Sequence, residues 1–361
     1  MKIGKIVTAF TALAVVGCML ASLTACSTPR VALTVDGKDY ETGEYLAYMA
    51  DVFQQVYYDG GLYYYGQYGT DVWAQEYTYN EEKLKLAEYI KAVTVDTVIR
   101  QKALENKLTE EKVTVSDDIK KGAQSIVDSA DESVLLSYGV SKESYQKMCM
   151  AYYCNEQALF LARYDEGGSS PVAEADLRKY FDENYLSYKA ITVSMVDSEG
   201  KEFTADKQKE TKDKLQKYLD MYNKNGDFNK VIAQYAYDND TAEDKKLETL
   251  TDEDTRYDID AGNATDEDFA KALKKVGEGK AEIVTYSANG TTLTAGLVLR
   301  LDPEQGADRK DYYKNNRLNL LRAVKYEEFN KEIEDYAKTL KYTVNSSAYR
   351  LCDPKEFVPE A

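Results

Sequence analysis

Residues 188–195 read YKAITVSM, with Tyr188, Ala190, Thr192 and Ser194 alternating with Lys189, Ile191, Val193 and Met195. A period of two marks a strand, yet helix-forming sequence stands on both sides of it. Its partners lie about 90 residues on, where EIVTYS (282–287) and TTLTAGLVLRLD (291–302) flank Ala288-Asn289-Gly290, a strong hairpin signal. Helical stripes fill the interval. Leu215, Tyr218, Leu219 and Tyr222 recur at helical spacing and are closed by Gly226. Asp227 is placed to cap a helix carrying Phe228, Val231, Ile232 and Tyr235. Phe269, Leu273 and Val276 mark one more. Residues 185–302 therefore read β-α-α-α-β-β. Strands so few and dispersed exclude a doubly wound α/β protein.

The flanks are mostly helical. VALTVDGKDY alternates and turns at Asp36-Gly37. Thr42 is placed to cap a helix with Leu46, Met49, Phe53 and Val56 on one face. A tyrosine- and glycine-rich segment follows and reads as a loop. Asn80, with Glu81 and Glu82 in the first turn, reads as a helix start before Leu86, Ile90 and Val93. Amphipathic helices run through 115–165, and Gly167-Gly168-Ser169-Ser170-Pro171 reads as a linker. Leu177, Tyr180 and Phe181 mark a short helix. Near the C-terminus Leu321, Val324, Phe329, Ile333, Tyr336 and Leu340 line a long helix before KYTVN turns β-prone. VALTV and KYTV thus bracket everything else, and pairing them would close the helical part around the inserted unit. The fold class is α+β.

The chain opens MKIGKIVTAFTALAVVGCMLASLTAC, a basic start and an apolar run without an acid, which is a secretory signal pattern. Leu23-Thr24-Ala25-Cys26 resembles the lipobox of bacterial lipoproteins, which implies cleavage before Cys26 and a lipid on its thiol; Cys18 fits the pattern less well. The expected location is the extracytoplasmic face of the cell membrane, lipid-anchored, since no later stretch is long and apolar enough to span a bilayer. Loss of residues 1–25 takes the formal net charge from −17 to −19, and such a surface excludes nucleic acid as a partner. Cys149 and Cys154 fall on one predicted helix about 140° apart, poor disulfide geometry, and read as buried or free thiols. The chain has no histidine and no close cysteine cluster, so neither a metal nor another cofactor is expected.

Four segments, YLSYKAITVS, GDFNKVIAQYAYD, DEDFAKALKKVGEGKAEIV and GLVLRLD, occur in the order and spacing of a parvulin-type prolyl isomerase domain. Their flanks, VALTVDGKDYETGEYL, YGTDVWAQE, VAEADLRKYFDENY and LKYTVNSSAYRLCDP, resemble those of PrsA-type foldase lipoproteins and SurA-like chaperones. The resemblance covers most of the chain after the leader. It implies a signal peptide (1–25), a helical chaperone domain (26–174), a parvulin-like domain (175–305) and a C-terminal helix and strand completing the helical domain (306–361). It also places the family's pocket. Its two histidine positions fall on Ala190 and Leu297, its methionine on Thr265 and its phenylalanine on Phe269. Asp238 matches the cysteine-or-aspartate position, and Glu248 stands where a glycine is expected. An isomerase must reduce a rotation barrier of ~18–20 kcal/mol by favouring the twisted amide over the planar one. Only Asp238 and Phe269 survive of the groups that would shape such a pocket, so the domain reads as a degenerate, non-catalytic scaffold.

The aromatic segment carries the other candidate site. Tyr57, Tyr58, Tyr63, Tyr64, Tyr65, Tyr68, Trp73, Tyr77 and Tyr79 lie within 23 residues. Rings with a polar tip contact varied peptides at modest entropic cost, which makes Tyr63, Tyr64, Tyr65, Tyr68, Trp73 and Tyr77 peptide-binding candidates. The acidic stretch 238–268 misses the calcium-loop pattern and reads as a solvated loop. The expected function is that of an anchored folding chaperone for unfolded or newly secreted polypeptides. The alternatives are an active peptidyl-prolyl isomerase and a surface lipoprotein with one defined partner. Cys26→Ala is expected to abolish lipid labelling and release the chain from the membrane fraction. If Cys18→Ala does so instead, the anchor is Cys18.

Overall fold

A computed structural model of the chain describes residues 29–239, 262–263, 266–304 and 311–358. The leader with Cys18 and Cys26, most of the acidic stretch with Glu248, and Thr265 lie outside the described residues. The chain divides into two compact units. The described residues up to Pro171, with those from Lys325 onward, form the first; Val172–Val324 forms the second.

In the first unit β1 (Val31–Val35) turns through Asp36-Gly37, both at positive φ, into β2 (Lys38–Glu41). Helix α1 (Thr42–Phe53) follows, capped at Glu41 and not at Thr42, whose hydroxyl instead donates to the Pro29 carbonyl. It buries Tyr45, Tyr48, Met49, Val52 and Phe53, so its inner face is wider than the stripe read from Leu46 and Met49. The segment expected to be a loop is ordered in short turns. A π-helical turn at Gln54–Asp59 leads to α2 (Leu62–Gln67), entered through Gly61 at φ 76°, and then to a 3-10 turn at Val72–Ala74. Asn80 and Glu81 do not start a helix. They form the two-residue turn between β3 (Glu76–Tyr79) and β4 (Glu82–Lys85), at φ 46° and 70°, the conformation a tight hairpin demands. Helix α3 (Leu86–Glu110) begins only after that hairpin.

Ser116 caps α4 (Asp117–Ser129), Asp131 caps α5 (Glu132–Ser137) and Ser141 caps α6 (Lys142–Tyr164), each through a side-chain oxygen accepting a first-turn N–H. Helices α1, α3, α4 and α6 pack on one another around Ile90, Val98, Leu104, Met148 and Leu159. Cys149 and Cys154 are buried free thiols in α6.

In the second unit α7 (Glu174–Asn184) buries Leu177 and Phe181 and leads into β5 (Ser187–Ser194). Helix α8 (Ala205–Asn225) ends on Gly226 at φ 69°, and Asp227 caps α9 (Phe228–Asp238) by accepting the Lys230 N–H at 3.2 Å. A short strand unseen in the sequence pattern, β6 (Gly262–Asn263), pairs with β5. Helix α10 (Glu267–Leu273) and the hairpin of β7 (Ala281–Ala288) and β8 (Thr292–Leu301) complete the unit's sheet, ordered β6-β5-β8-β7. All its pairs are antiparallel. The order along the chain is thus β-α-α-β-α-β-β. Helices α8 and α9 cover one face, where Leu215, Phe228, Val231 and Ile232 meet Ile191, Leu297 and Leu299. Helix α10 covers part of the other. Helix α11 (Tyr312–Asn315) sets Tyr313 edge-on to Phe181 at 5.1 Å.

Helix α12 (Arg317–Ala337) buries Leu320, Leu321, Phe329 and Ile333, whereas Val324, expected on the apolar face, is exposed. Within the first unit Phe329 meets Phe160 of α6 edge-on at 5.3 Å. Strand β9 (Tyr342–Val344) then pairs antiparallel with β1, giving a sheet ordered β2-β1-β9. Helix α13 (Ser346–Leu351) and a 3-10 turn at Pro354–Phe357 end the described chain. No helix among the described residues is long and apolar enough to cross a membrane.

One buried acid stands out in this core. Asp51 is 7% exposed and accepts a hydrogen bond from Gln55 Nε2 at 2.8 Å. Burial pushes its carboxyl up to about 6, against the opposing pull of that bond. A carboxyl whose pKa is higher folded than unfolded binds more protons in the folded state, so stability falls as pH rises from about 4 to 6. Asp51→Asn is expected to stabilise the first unit by about 2–3 kcal/mol at pH 7.5, with the gain vanishing below about pH 4. Urea unfolding of variant and parent at the two pH values measures it.

Candidate functional site

The first candidate surface grows outward from Phe53, at the end of α1. Tyr57 stacks on Phe53 at 4.9 Å, and Trp73 stacks on Tyr57 at 5.7 Å with planes 18° apart. Tyr58 stands edge-on to both Phe53 and Tyr57, Tyr63 lies 5.3 Å from Tyr58, and Tyr64 lies 5.7 Å from Tyr63. Burial raises the Tyr57 hydroxyl pKa and brings that of Tyr58 to about 12, so both stay neutral donors. Exposure climbs along this series, from 0% at Phe53 through 36% at Tyr63 to 63% at Tyr64, 60% at Tyr65 and 87% at Tyr68. Two turns and one short helix therefore convert a core stack into a surface of rings.

The six predicted peptide-contact residues separate on this geometry. Tyr64, Tyr65 and Tyr68 face solvent, and Tyr63 stands at the edge. Trp73 is packed into the stack, and Tyr77 lies elsewhere, against Tyr89 at 5.4 Å. Sequence reasoning missed the support from the C-terminus. Phe357, buried, meets Phe53 at 5.5 Å and Tyr138 at 4.9 Å, while Lys355 Nζ lies 5.9 Å from the Trp73 ring. Nothing local in KEFV signals this, since the contact partners are more than 200 residues away.

The second candidate surface is the sheet face under α10. Tyr188 stands edge-on to Phe269 at 4.7 Å, and Tyr286 lies on its other side at 4.8 Å. Beneath them are Ala190, Val284 and Val298. Asp266 holds the helix in place: one carboxylate oxygen accepts the Phe269 N–H and the other the Asn289 N–H of the hairpin, both at 2.7 Å. These two backbone bonds keep its carboxyl below the usual range.

Register corrects the pocket read from the resemblance. Ala190 pairs with Val298, and Ile191 pairs with Leu297. Directly opposed residues share a face, and neighbours along a strand do not. Leu297 therefore points into the fully buried core under α8 and α9, away from Ala190 and Phe269. Val298 is the residue that meets Ala190. Asp238 is exposed at the end of α9 and accepts hydrogen bonds from Tyr218 at 2.9 Å and Gln234 at 2.7 Å. Both donors belong to the α8 and α9 layer, so Asp238 and Phe269 are held by opposite faces. The Phe269 face offers rings and methyl groups, enough to seat an apolar group. Among the described residues its floor, Ala190 and Val298, is apolar, while Tyr188 and Tyr286 each carry a hydroxyl.

A third depression, about 560 Å³, borders Arg163 in the first unit. Its Arg163 is already held by Glu111 and Glu332, the latter at 2.9 Å, and the remaining lining is largely polar. No cluster of potential metal ligands occurs among the described residues.

No family model matches the chain, and no curated protein matches it. Solved structures that resemble it include foldases. The particular proteins are the foldase PrsA of Lactococcus lactis, of Streptococcus pneumoniae and of Bacillus subtilis. The first is 16% identical with a TM-score of 0.34, covering 89% of this chain and 97% of that one. The second is 13% identical at 0.31, covering 79% and 92%. The third is 14% identical at 0.24, covering 74% and 91%.

The corrected register carries a direct consequence. Leu297→Ala is expected to destabilise the second unit by about 2–5 kcal/mol, as for a fully buried leucine. Thr192→Ala, on the exposed part of the opposite face, is expected to stay within about 0.5 kcal/mol. Denaturant midpoints of the two variants test the assignment.

Proposed function

We propose that this chain is a folding chaperone, lipid-anchored through Cys26 on the extracytoplasmic face of the membrane, that holds unfolded or newly secreted polypeptides. The tyrosine face of the first unit is its client-contact surface. The single observation that supports the reading is the gradient from the buried Phe53 stack to Tyr64, Tyr65 and Tyr68. Large rings left in solvent on a rigid support lower the ordering penalty of binding. Single exposed apolar residues need no explanation, but a contiguous set of them marks an interaction site.

The parvulin-like unit acts in this reading as a scaffold and secondary contact surface without isomerase activity. What supports it is the floor of the Phe269 face, where Ala190 and Val298 bring only methyl groups. No histidine elsewhere in the chain can replace the missing pair.

Two assays test the proposal together. Aggregation of a chemically unfolded client is expected to be suppressed at about equimolar chain, while proline-limited refolding keeps its uncatalysed time of ~10–100 s. A rate enhancement lost on Phe269→Ala would make the protein an isomerase. Protection of no client at all would leave a lipoprotein with a single defined partner.

A further inference from the structure

The tyrosine face has a charge pattern as well as a ring pattern. Between Lys38 and Lys83 the sequence contains no lysine, arginine or histidine, and it contains nine aspartates and glutamates. Several of these carboxylates border α2. The π-helical turn ending at Asp59 and the 3-10 turn capped by Asp71 both pack on that helix, and Glu76 lies further on, at the start of β3. All three are exposed. Asp71 accepts the N–H groups of Trp73 and Ala74 through a single oxygen, at 3.1 and 3.2 Å, and so keeps its charge at the surface. None of the three forms an ion pair among the described residues. The chain itself shows what such a surface accepts. One cation reaches the stack from a distant segment: the exposed Lys355, whose ammonium lies 5.9 Å from the Trp73 ring.

A cation over an aromatic face is attracted by the ring quadrupole. Carboxylates around the ring add a longer-range pull that salt screens. An aromatic surface with neutral surroundings would select for apolar groups alone. With acids around it and no cation of its own strand of sequence, it selects for apolar groups beside positive ones and repels acidic segments.

We propose that the face formed by Tyr64, Tyr65 and Tyr68, with Asp59 and Asp71 beside it, takes extended client segments that carry lysine or arginine. The inference rests on the chaperone reading and names the substrate class of the same site. The client's ammonium or guanidinium lies on an exposed tyrosine ring, as Lys355 lies on Trp73, with its aliphatic stem along the neighbouring rings.

The test uses the full chain and three fluorescent, unstructured peptides identical except for arginines, glutamines or glutamates at the same positions, read by anisotropy. The arginine peptide is expected to bind at least ~10-fold more tightly than the glutamine peptide, with the advantage shrinking as sodium chloride is raised well above physiological strength. The glutamate peptide is expected to bind weakest. Tyr64→Ser/Tyr65→Ser/Tyr68→Ser is expected to lose the arginine peptide. Asp59→Asn/Asp71→Asn, which keeps every ring and leaves an amide oxygen to accept the Trp73 and Ala74 N–H groups, is expected to retain the glutamine peptide and lose most of the arginine advantage, and this second variant decides the matter should the first fail to fold. Equal binding of the three peptides, or an arginine preference unchanged in the charge variant, overturns the inference. If client aggregation is still suppressed in that case, the chaperone reading stands without it; if protection is absent as well, that reading falls first.

Discussion

Three strands near the N-terminus and the C-terminus hold the first unit together, and β1 is the middle one. Its outer side is bonded by β2, its immediate neighbour in sequence, and its other side by β9, about 300 residues on. Closing so long a loop is less costly than its length suggests, because the entropy grows only with the logarithm, about 0.6 kcal/mol per doubling. Three paired residues do not carry the closure alone. Phe329 packs on Phe160, Tyr326 donates to Glu156 at 3.1 Å, and Arg100 reaches both Glu156 and Asn330. Arg163, 8% exposed, is shared by Glu111, just past the end of α3, and Glu332 of α12. Glu332 remains half exposed, so solvent screens its share of this cluster. The C-terminal segment is therefore part of the first unit's core, and the intervening residues form a unit with a core of their own.

That closure also reaches the aromatic surface. The last described turn places Phe357 against Phe53 and Tyr138. Phe53 is the root of the ring series that ends at Tyr68. The root of the series is therefore packed in part by a residue from the far end of the chain. Rigidity in a binding ring matters because each side chain immobilised on binding costs about 0.5–1.5 kcal/mol.

Much of this was legible in the sequence, and the failures share a cause. Elements defined by local chemistry were readable: the alternating 188–195, the Asn289-Gly290 hairpin, the Gly226 helix end, the Asp227 cap and the two free thiols of one helix. Asn80-Glu81 misled because an asparagine before two acids suits a helix start and a tight turn equally. The hairpin won, since four-residue strands on each side pair with it. The tyrosine segment read as a loop because its glycines break periodicity, yet Gly61 at positive φ is what admits a new helix immediately after the π turn. Gly262-Asn263 was illegible because two residues carry no period at all.

Register also bears on the pocket implied by the resemblance, since it sets Leu297 and Ala190 on different faces. A strand reverses face at every residue, so a one-place error in matching GLVLRLD moves a side chain from one layer of the unit to the other. Leu297 and Val298 are both apolar, and nothing in their identities says which faces α10. Register supplies that, through Ala190 opposite Val298. The corrected position makes the chemical argument stronger. Leu297 in a helix-covered core would be apolar in any protein with this sheet. Val298 and Ala190 lie where a polar floor would have to be built, beside Phe269, Tyr188 and Tyr286, and both end in methyl groups. The rings that would hold a substrate are present on that face, and among the described residues its floor at Ala190 and Val298 is apolar.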